Sequence, residues 1–212
     1  MLQVEEVTAE VPALVNPQHK SIFESGPKGQ PPNILNSLKR DHDVFKTLYQ
    51  EYNTTKSKSD RERIAKEIMK GVDIHDKIEE LVFYPALRDC GMEMGNNYVK
   101  QSLLDHENVR SSVYELNILF QDEGVESQMF NNFFNKMMTD FIAHAELEEH
   151  EVFKFCQKLF DDKKLAELGK ELDEMRKMGG VEKKLMEGRE EVEKMEDAEE
   201  AGGTEVMEEV VE

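Results

Sequence analysis

Residues 73–87 read DIHDKIEELVFYPAL, and their period decides the fold. Ile74, Ile78, Val82 and Phe83 recur at the three- and four-residue spacing of one helix face, not at the alternation a strand requires. His75 and Glu79 fall inside that stripe. One helical turn separates them, so both side chains reach a common point. An imidazole and a carboxylate on a buried face are costly unless something pairs with them. The stretch therefore predicts a helix that carries a polar site into a core.

Working outward, the same period runs from about residue 34 to 158. A first helix carries Leu35, Leu38, His42, Phe45, Leu48 and Tyr52, with Asn33 as its N-cap. A second opens at Ser59, with Glu62 at capping-box spacing, and runs through Ile64, Ile68, Val72, His75, Glu79 and Val82 to end between Pro85 and Gly91. A third carries Val99, Leu103, His106, Val113, Leu116 and Phe120 and stops by Gly124. A fourth carries Phe134, Met137, Phe141, His144, Glu148, Val152 and Phe155. Four amphipathic helices on short connections predict an all-α, up-down-up-down four-helix bundle over residues 33–160. Residues 1–32 hold all but one of the six prolines and read as an irregular arm. A weaker helical pattern at 161–179 ends at Gly179-Gly180. Residues 180–212 form an acidic tail, with eleven acidic residues against one lysine from 190 onward, a composition that predicts disorder.

The histidines repeat. Asp41-His42 matches Asp105-His106, and His75-DKI-Glu79-Glu80 matches His144-AEL-Glu148-Glu149, at offsets of 64 and 69 residues. The bundle thus reads as two copies of one αα-hairpin about a pseudo-twofold axis. Distances from the connecting loops place all four histidines and both glutamates at one depth, within ~2–6 Å at 1.5 Å rise per residue. Six buried ionisable groups with no cation in the stripe call for cations from outside. His42, His75, Glu79, His106, His144 and Glu148 are therefore candidate metal ligands. Two histidines would cap each of two ions, both glutamates would bridge them, and an oxo, hydroxo or water bridge would complete the site. Imidazole and carboxylate without thiolate suit iron, manganese or zinc. Neither Glu-x-x-His nor HExxH is present. Glu80 and Glu149 fall off the stripe as flanking carboxylates or outer hydrogen-bond partners, and His150 and His19 read as surface residues.

Composition narrows the function classes. A net charge of −19, with 34% charged residues, argues against nucleic-acid binding. No window approaches the ~18–20 apolar residues of a membrane span. The first fifteen residues carry acids where a leader would carry lysine or arginine. Cys90 and Cys156 form no CxxC pair, which points to half-buried thiols in a reducing, cytoplasmic setting.

The pattern His42, His75-x-x-x-Glu79, His106, His144-x-x-x-Glu148, with IEELVFYPAL after the second-helix ligands, resembles the hemerythrin-like (HHE cation-binding) domain over about residues 33–160. The resemblance implies a non-haem di-iron centre that binds or senses dioxygen, iron or redox species. It makes dioxygen, another diatomic or peroxide the expected small ligand. Two positions depart from the oxygen carriers of that family. Arg110 stands where they have a further histidine, and Glu148 and Glu149 stand around their fourth-helix aspartate. Four histidines leave more exchangeable positions on the metal and argue against simple oxygen carriage. The alternatives are a di-iron redox enzyme of the peroxide, nitric oxide or iron–sulfur repair type, and a structural bundle stapled by zinc. Tyr114 and Glu115 are candidate proton donors, although helical phase does not aim them at the metal. A binding or sensing role, rather than catalysis, is the reading carried forward.

Overall fold

The computed structural model describes residues 33–176, and among these every regular element is helical. The expected arm and acidic tail lie outside the described residues. Helix α1 (Ile34–Thr54) starts where Asn33 accepts hydrogen bonds from the backbone N–H groups of Leu35 and Asn36. It buries Ile34, Leu38, His42, Phe45, Leu48 and Tyr52 at three- and four-residue steps. Helix α2 (Lys58–Ile78) begins earlier than expected. Its cap is Ser57, whose side chain accepts from the N–H of Asp60, whereas Ser59 lies inside the first turn. Ser57-x-x-Asp60 caps as well as Ser59-x-x-Glu62 and puts an acid near the positive end of the helix dipole.

Beyond Ile78 the chain stays helical but widens into a π segment, π1 (Glu79–Phe83), before α3 (Tyr84–Asp89). Pro85 sits in the first turn of α3, where its missing N–H is tolerated. Gly91, at φ 70°, makes the turn into α4 (Glu93–Asp122), and Gly124, at φ 76°, follows the C-cap Glu123 and opens the next connection. Helix α5 (Gln128–Leu147), capped by Ser127, again widens into a π segment, π2 (Glu148–Val152), followed by α6 (Phe153–Leu159). Proline cannot explain π2, because the second hairpin has none there. What the hairpins share is the HxxxEE sequence immediately before and within the wide turn.

Helices α1 and α2 pair as one hairpin and α4 and α5 as the other, giving the all-α bundle that the period predicts. Helix α7 (Asp162–Arg176) lies against α1 and buries Leu165, Leu168, Leu172 and Met175. The core is divided in two. One apolar cluster joins Ile34, Leu38, Ile78, Phe83, Leu87, Val152 and Leu172. The other joins Phe45, Tyr52, Ile68, Val72, Phe130, Phe134 and Phe141. Each of the four long helical rods, α1, α2 with π1, α4, and α5 with π2, crosses from one cluster to the other through a histidine. The polar layer lies between the clusters.

Candidate metal centre

Each residue of this layer is placed by its helix, one histidine per helix on α1, α2, α4 and α5, with Glu79 and Glu148 opening the two π segments. None of the six expected ligand residues is more than 2% exposed. Nε2 of His42 lies 3.2 Å from Nε2 of His75, and Nε2 of His106 lies 3.1 Å from Nε2 of His144. Glu79 stands between the pairs, 3.4 Å from His75 Nε2 through Oε1 and 3.2 Å from His106 Nε2 through Oε2. Glu148 Oε2 reaches the other two, 3.6 Å from His42 Nε2 and 3.8 Å from His144 Nε2. Potential ligand atoms of His42, His75, Glu79 and Glu148 lie within 4.8 Å of one another, as do those of Glu79, His106 and His144. The two groups share Glu79.

The opposite nitrogen of each ring faces a carboxylate, and the pairing follows the repeat. Within each hairpin, the aspartate preceding the first histidine faces the second: Asp41 is 3.3 Å from His75 Nδ1, and Asp105 is 3.6 Å from His144 Nδ1. Across the hairpins, the second glutamate of each EE pair bonds the other half's first histidine. Glu149 is 3.1 Å from His42 Nδ1, and Glu80 is 3.0 Å from His106 Nδ1. These outer carboxylates are held in turn by cations or an amide. Arg110 is 2.5 Å from Glu80, Lys39 and Lys46 contact Glu149 at 3.1 and 3.2 Å, Arg176 pairs with Asp41, and Gln101 donates to Asp105 at 2.9 Å. Glu80 and Glu149 are thus outer partners rather than solvent carboxylates, and Arg110 points at Glu80 instead of at the layer.

An Nδ1–H that donates to a carboxylate leaves Nε2 with its lone pair facing inward. His42 and His75 aim two such lone pairs at each other at 3.2 Å, which repel unless they share a cation. In the His106–His144 pair, 3.1 Å apart, only His106 Nδ1 is hydrogen-bonded, His144 Nδ1 standing 3.6 Å from Asp105. Oε1 of Glu79 and Oε2 of Glu148 are buried and accept no hydrogen bond. The same contacts shift the acid–base balance of the layer. Burial pulls His42 down to about 4 against the pull of Glu149. At His106 burial is outweighed by Asp76, Glu79 and Glu80, which hold the imidazole up to about 10. Burial and the neighbouring Glu79 carboxylate push Glu148 up to about 8. Burial opposes ionisation of Glu79 too, but His75, His106 and His144 hold it well below the carboxylate range. A layer of this kind fits metal cations, and its nitrogen and oxygen donors suit iron, manganese or zinc.

Three further residues of the layer escape a reading by helical period. Asp76, 2% exposed, lies 3.8 Å from His106 Nε2, and burial raises its pKa. Asp41 is as buried as the histidine it precedes. Tyr84 enters the layer itself, its hydroxyl 3.2 Å from Glu79, 3.1 Å from Glu148 and 3.0 Å from His106 Nε2. The Asp-His repeat was the one available signal for Asp41, and nothing in a 3.6-residue period marks Tyr84. Tyr114 and Glu115 are exposed and take no part, and His150 is likewise exposed. Cys156 is buried and Cys90 half-buried, both as free thiols.

No curated protein and no solved structure gives a significant match to the chain. The family described as the hemerythrin HHE cation binding domain matches residues 33–156, a span that holds the four histidines of the layer together with Glu79 and Glu148. By that match the chain belongs to the hemerythrin HHE cation-binding domain family.

Proposed function

We propose that His42 and His75 hold one iron ion, His106 and His144 a second, with Glu79 and Glu148 shared between them, and that the protein binds or senses dioxygen or another small redox ligand there. The observation that carries this is the pair of facing Nε2 contacts, 3.2 and 3.1 Å, with a carboxylate behind every ring. When bound, iron supplies one-electron chemistry and exchangeable positions for dioxygen, peroxide or nitric oxide. The chain's own contribution is enclosure and orientation. Its ligand side chains are at most 2% exposed, so only small molecules reach the layer. A cavity of about 270 Å³ lined by Asp105, Asn108, Lys136, Asp140, Ala143 and His144 touches it from one side. Glu149, Asp41 and Glu80 hydrogen-bond the Nδ1 atoms of His42, His75 and His106 and keep Nε2 inward, and Asp105 faces His144 Nδ1 at 3.6 Å.

A binding or sensing role is favoured over catalysis by the chain of contacts that leaves the layer. His75 meets Asp41, and Asp41 meets Arg176 on α7, which ties the state of the layer to a peripheral helix. In the described residues no helix is long and apolar enough to cross a membrane. The free thiols fit the reducing cytoplasm that forms part of this proposal. Metal analysis of the protein as purified, with optical spectra before and after air oxidation, tests it. About two iron per chain with ligand-to-iron charge-transfer bands is the expected result. Stoichiometric zinc with a featureless spectrum would replace it with a zinc-stapled bundle.

A further inference from the structure

The two halves of the layer differ at Asp76, whose counterpart in the repeat is Ala145, and at the first residue after each π segment. The first residue after π1 is Tyr84, and the residue 69 positions later, the first after π2, is Phe153. Their backbone N–H groups make the same bond, to Glu79 and Glu148 respectively, across five residues. Five residues at ~100° each would turn Tyr84 about 140° away from Glu79 in an α-helix. The π turn instead stacks it one turn above Glu79, facing the layer. Each aromatic ring lies beside the first histidine of the other hairpin. Tyr84 sits 5.4 Å from His106 at 33°, and Phe153 sits 6.1 Å from His42 at 9°. Packing alone would be served by phenylalanine twice. A hydroxyl buried at 1% exposure in only one half is costly unless it has a partner.

Its neighbours are His106 Nε2 at 3.0 Å, Glu148 Oε1 at 3.1 Å and Glu79 Oε2 at 3.2 Å. One hydroxyl proton serves one of the two carboxylate oxygens and leaves the phenol lone pairs facing the other. Donor atoms that share an ion at ~2.1 Å, at right angles, lie about 3 Å apart. All three contacts have that length. On the di-iron reading of the pocket, we infer that Tyr84 is a further ligand, bound to the ion held by His106 and His144. The phenol O–H bond is replaced by an O–iron bond, and the proton leaves to solvent. The ion held by His42 and His75 faces Phe153 and has no such donor. The two halves of the site are therefore chemically distinct.

Full-length protein loaded with two ferrous ions per chain under anaerobic conditions, then oxidised with air or ferricyanide, tests this. The expected result is a visible phenolate-to-iron(III) band with resonance-enhanced tyrosine ring modes that shift when ring-deuterated tyrosine is incorporated. Tyr84→Phe should keep two iron per chain and lose both the band and the modes. The isotope shift is read on the unsubstituted protein, so it stands even if Tyr84→Phe fails to fold. Unsubstituted protein with two iron and no tyrosine modes overturns the Tyr84 assignment alone. Unsubstituted protein that takes up no iron overturns the di-iron reading, and this assignment with it.

Discussion

Glu79 and Glu80 are neighbours in sequence with different chemistry. Glu79, fully buried, faces three histidine Nε2 atoms, at 3.4 Å for His75, 3.2 Å for His106 and 3.8 Å for His144. Glu80 is on the outer side, bonded to His106 Nδ1 and Arg110. Glu148 and Glu149 divide in the same way. Replacing Glu79 or Glu148 with Ala removes an anion common to both halves, so metal stoichiometry should fall well below that of the unsubstituted protein. Replacing Glu80 or Glu149 with Ala loosens one ring. It should leave stoichiometry intact at saturating metal while weakening affinity by ~10–100-fold in a competitive chelator titration. Equal stoichiometric loss from both pairs would show that the inner and outer carboxylates have been confused. The inner six residues are legible in the sequence because each lies on a stripe whose period is the helix's own. The partner of each Nδ1 is not, since Asp41 faces a histidine 34 residues away and Glu149 one 107 residues away. The Asp-His and Glu-Glu dipeptides are visible as text, but only the docking of the hairpins says which ring each one meets.

Among the elements, the π segments and α7 carry what a helical wheel hides. A wheel drawn at 100° per residue puts Tyr84 off the site, and only the wide turn at Glu79–Phe83 returns it. Asn33 as a cap and glycine stops near 91 and 124 are legible because capping chemistry is local. Ser57 and Ser59 compete on equal local terms, and the choice between them is tertiary. Helix α7 illustrates the same limit, since its apolar spacing is readable whereas its contact with the layer is not. Leu172 is fully buried in the cluster on that side, so Leu172→Ala should cost about 2–5 kcal/mol in urea unfolding. Arg176 is different. It reaches Asp41 with its side chain 3% exposed, and removing one partner of such a pair costs about 3–5 kcal/mol. Asp41 also orients His75, so Arg176→Ala should weaken metal affinity as well, though less than Asp41→Ala. Leu172→Ala should lower stability and leave affinity alone. Affinity unchanged in Arg176→Ala would disconnect α7 from the metal layer.

Across the whole molecule, the polar layer separates two apolar clusters, each contributed by several helices. Hydrophobic burial above and below therefore does not depend on the ions, and metal-free protein should keep its helices. The layer itself should depend on them. Without metal, facing imidazoles and buried carboxyls must be satisfied by protons, whose placement is disputed among His42, His106 and Glu148. Ions that bind the folded chain and not the unfolded one add stability by mass action, about 4 kcal/mol at a free concentration a thousandfold above the dissociation constant. For a chain of this size each kcal/mol moves the thermal midpoint by ~2–4 °C. Stripping metal with a chelator under reducing conditions should thus lower the midpoint by roughly 8–16 °C while the far-ultraviolet circular dichroism at 25 °C changes little. Amide exchange should rise most around His75 and His144, at the junctions of α2 with π1 and α5 with π2. It should rise least at the apolar ends, such as Ile64–Ile68 and Phe130–Phe134. An identical midpoint with and without metal would mean that the layer is satisfied by protons alone. A collapse of helicity on chelation would mean instead that the two clusters cannot hold the bundle by themselves.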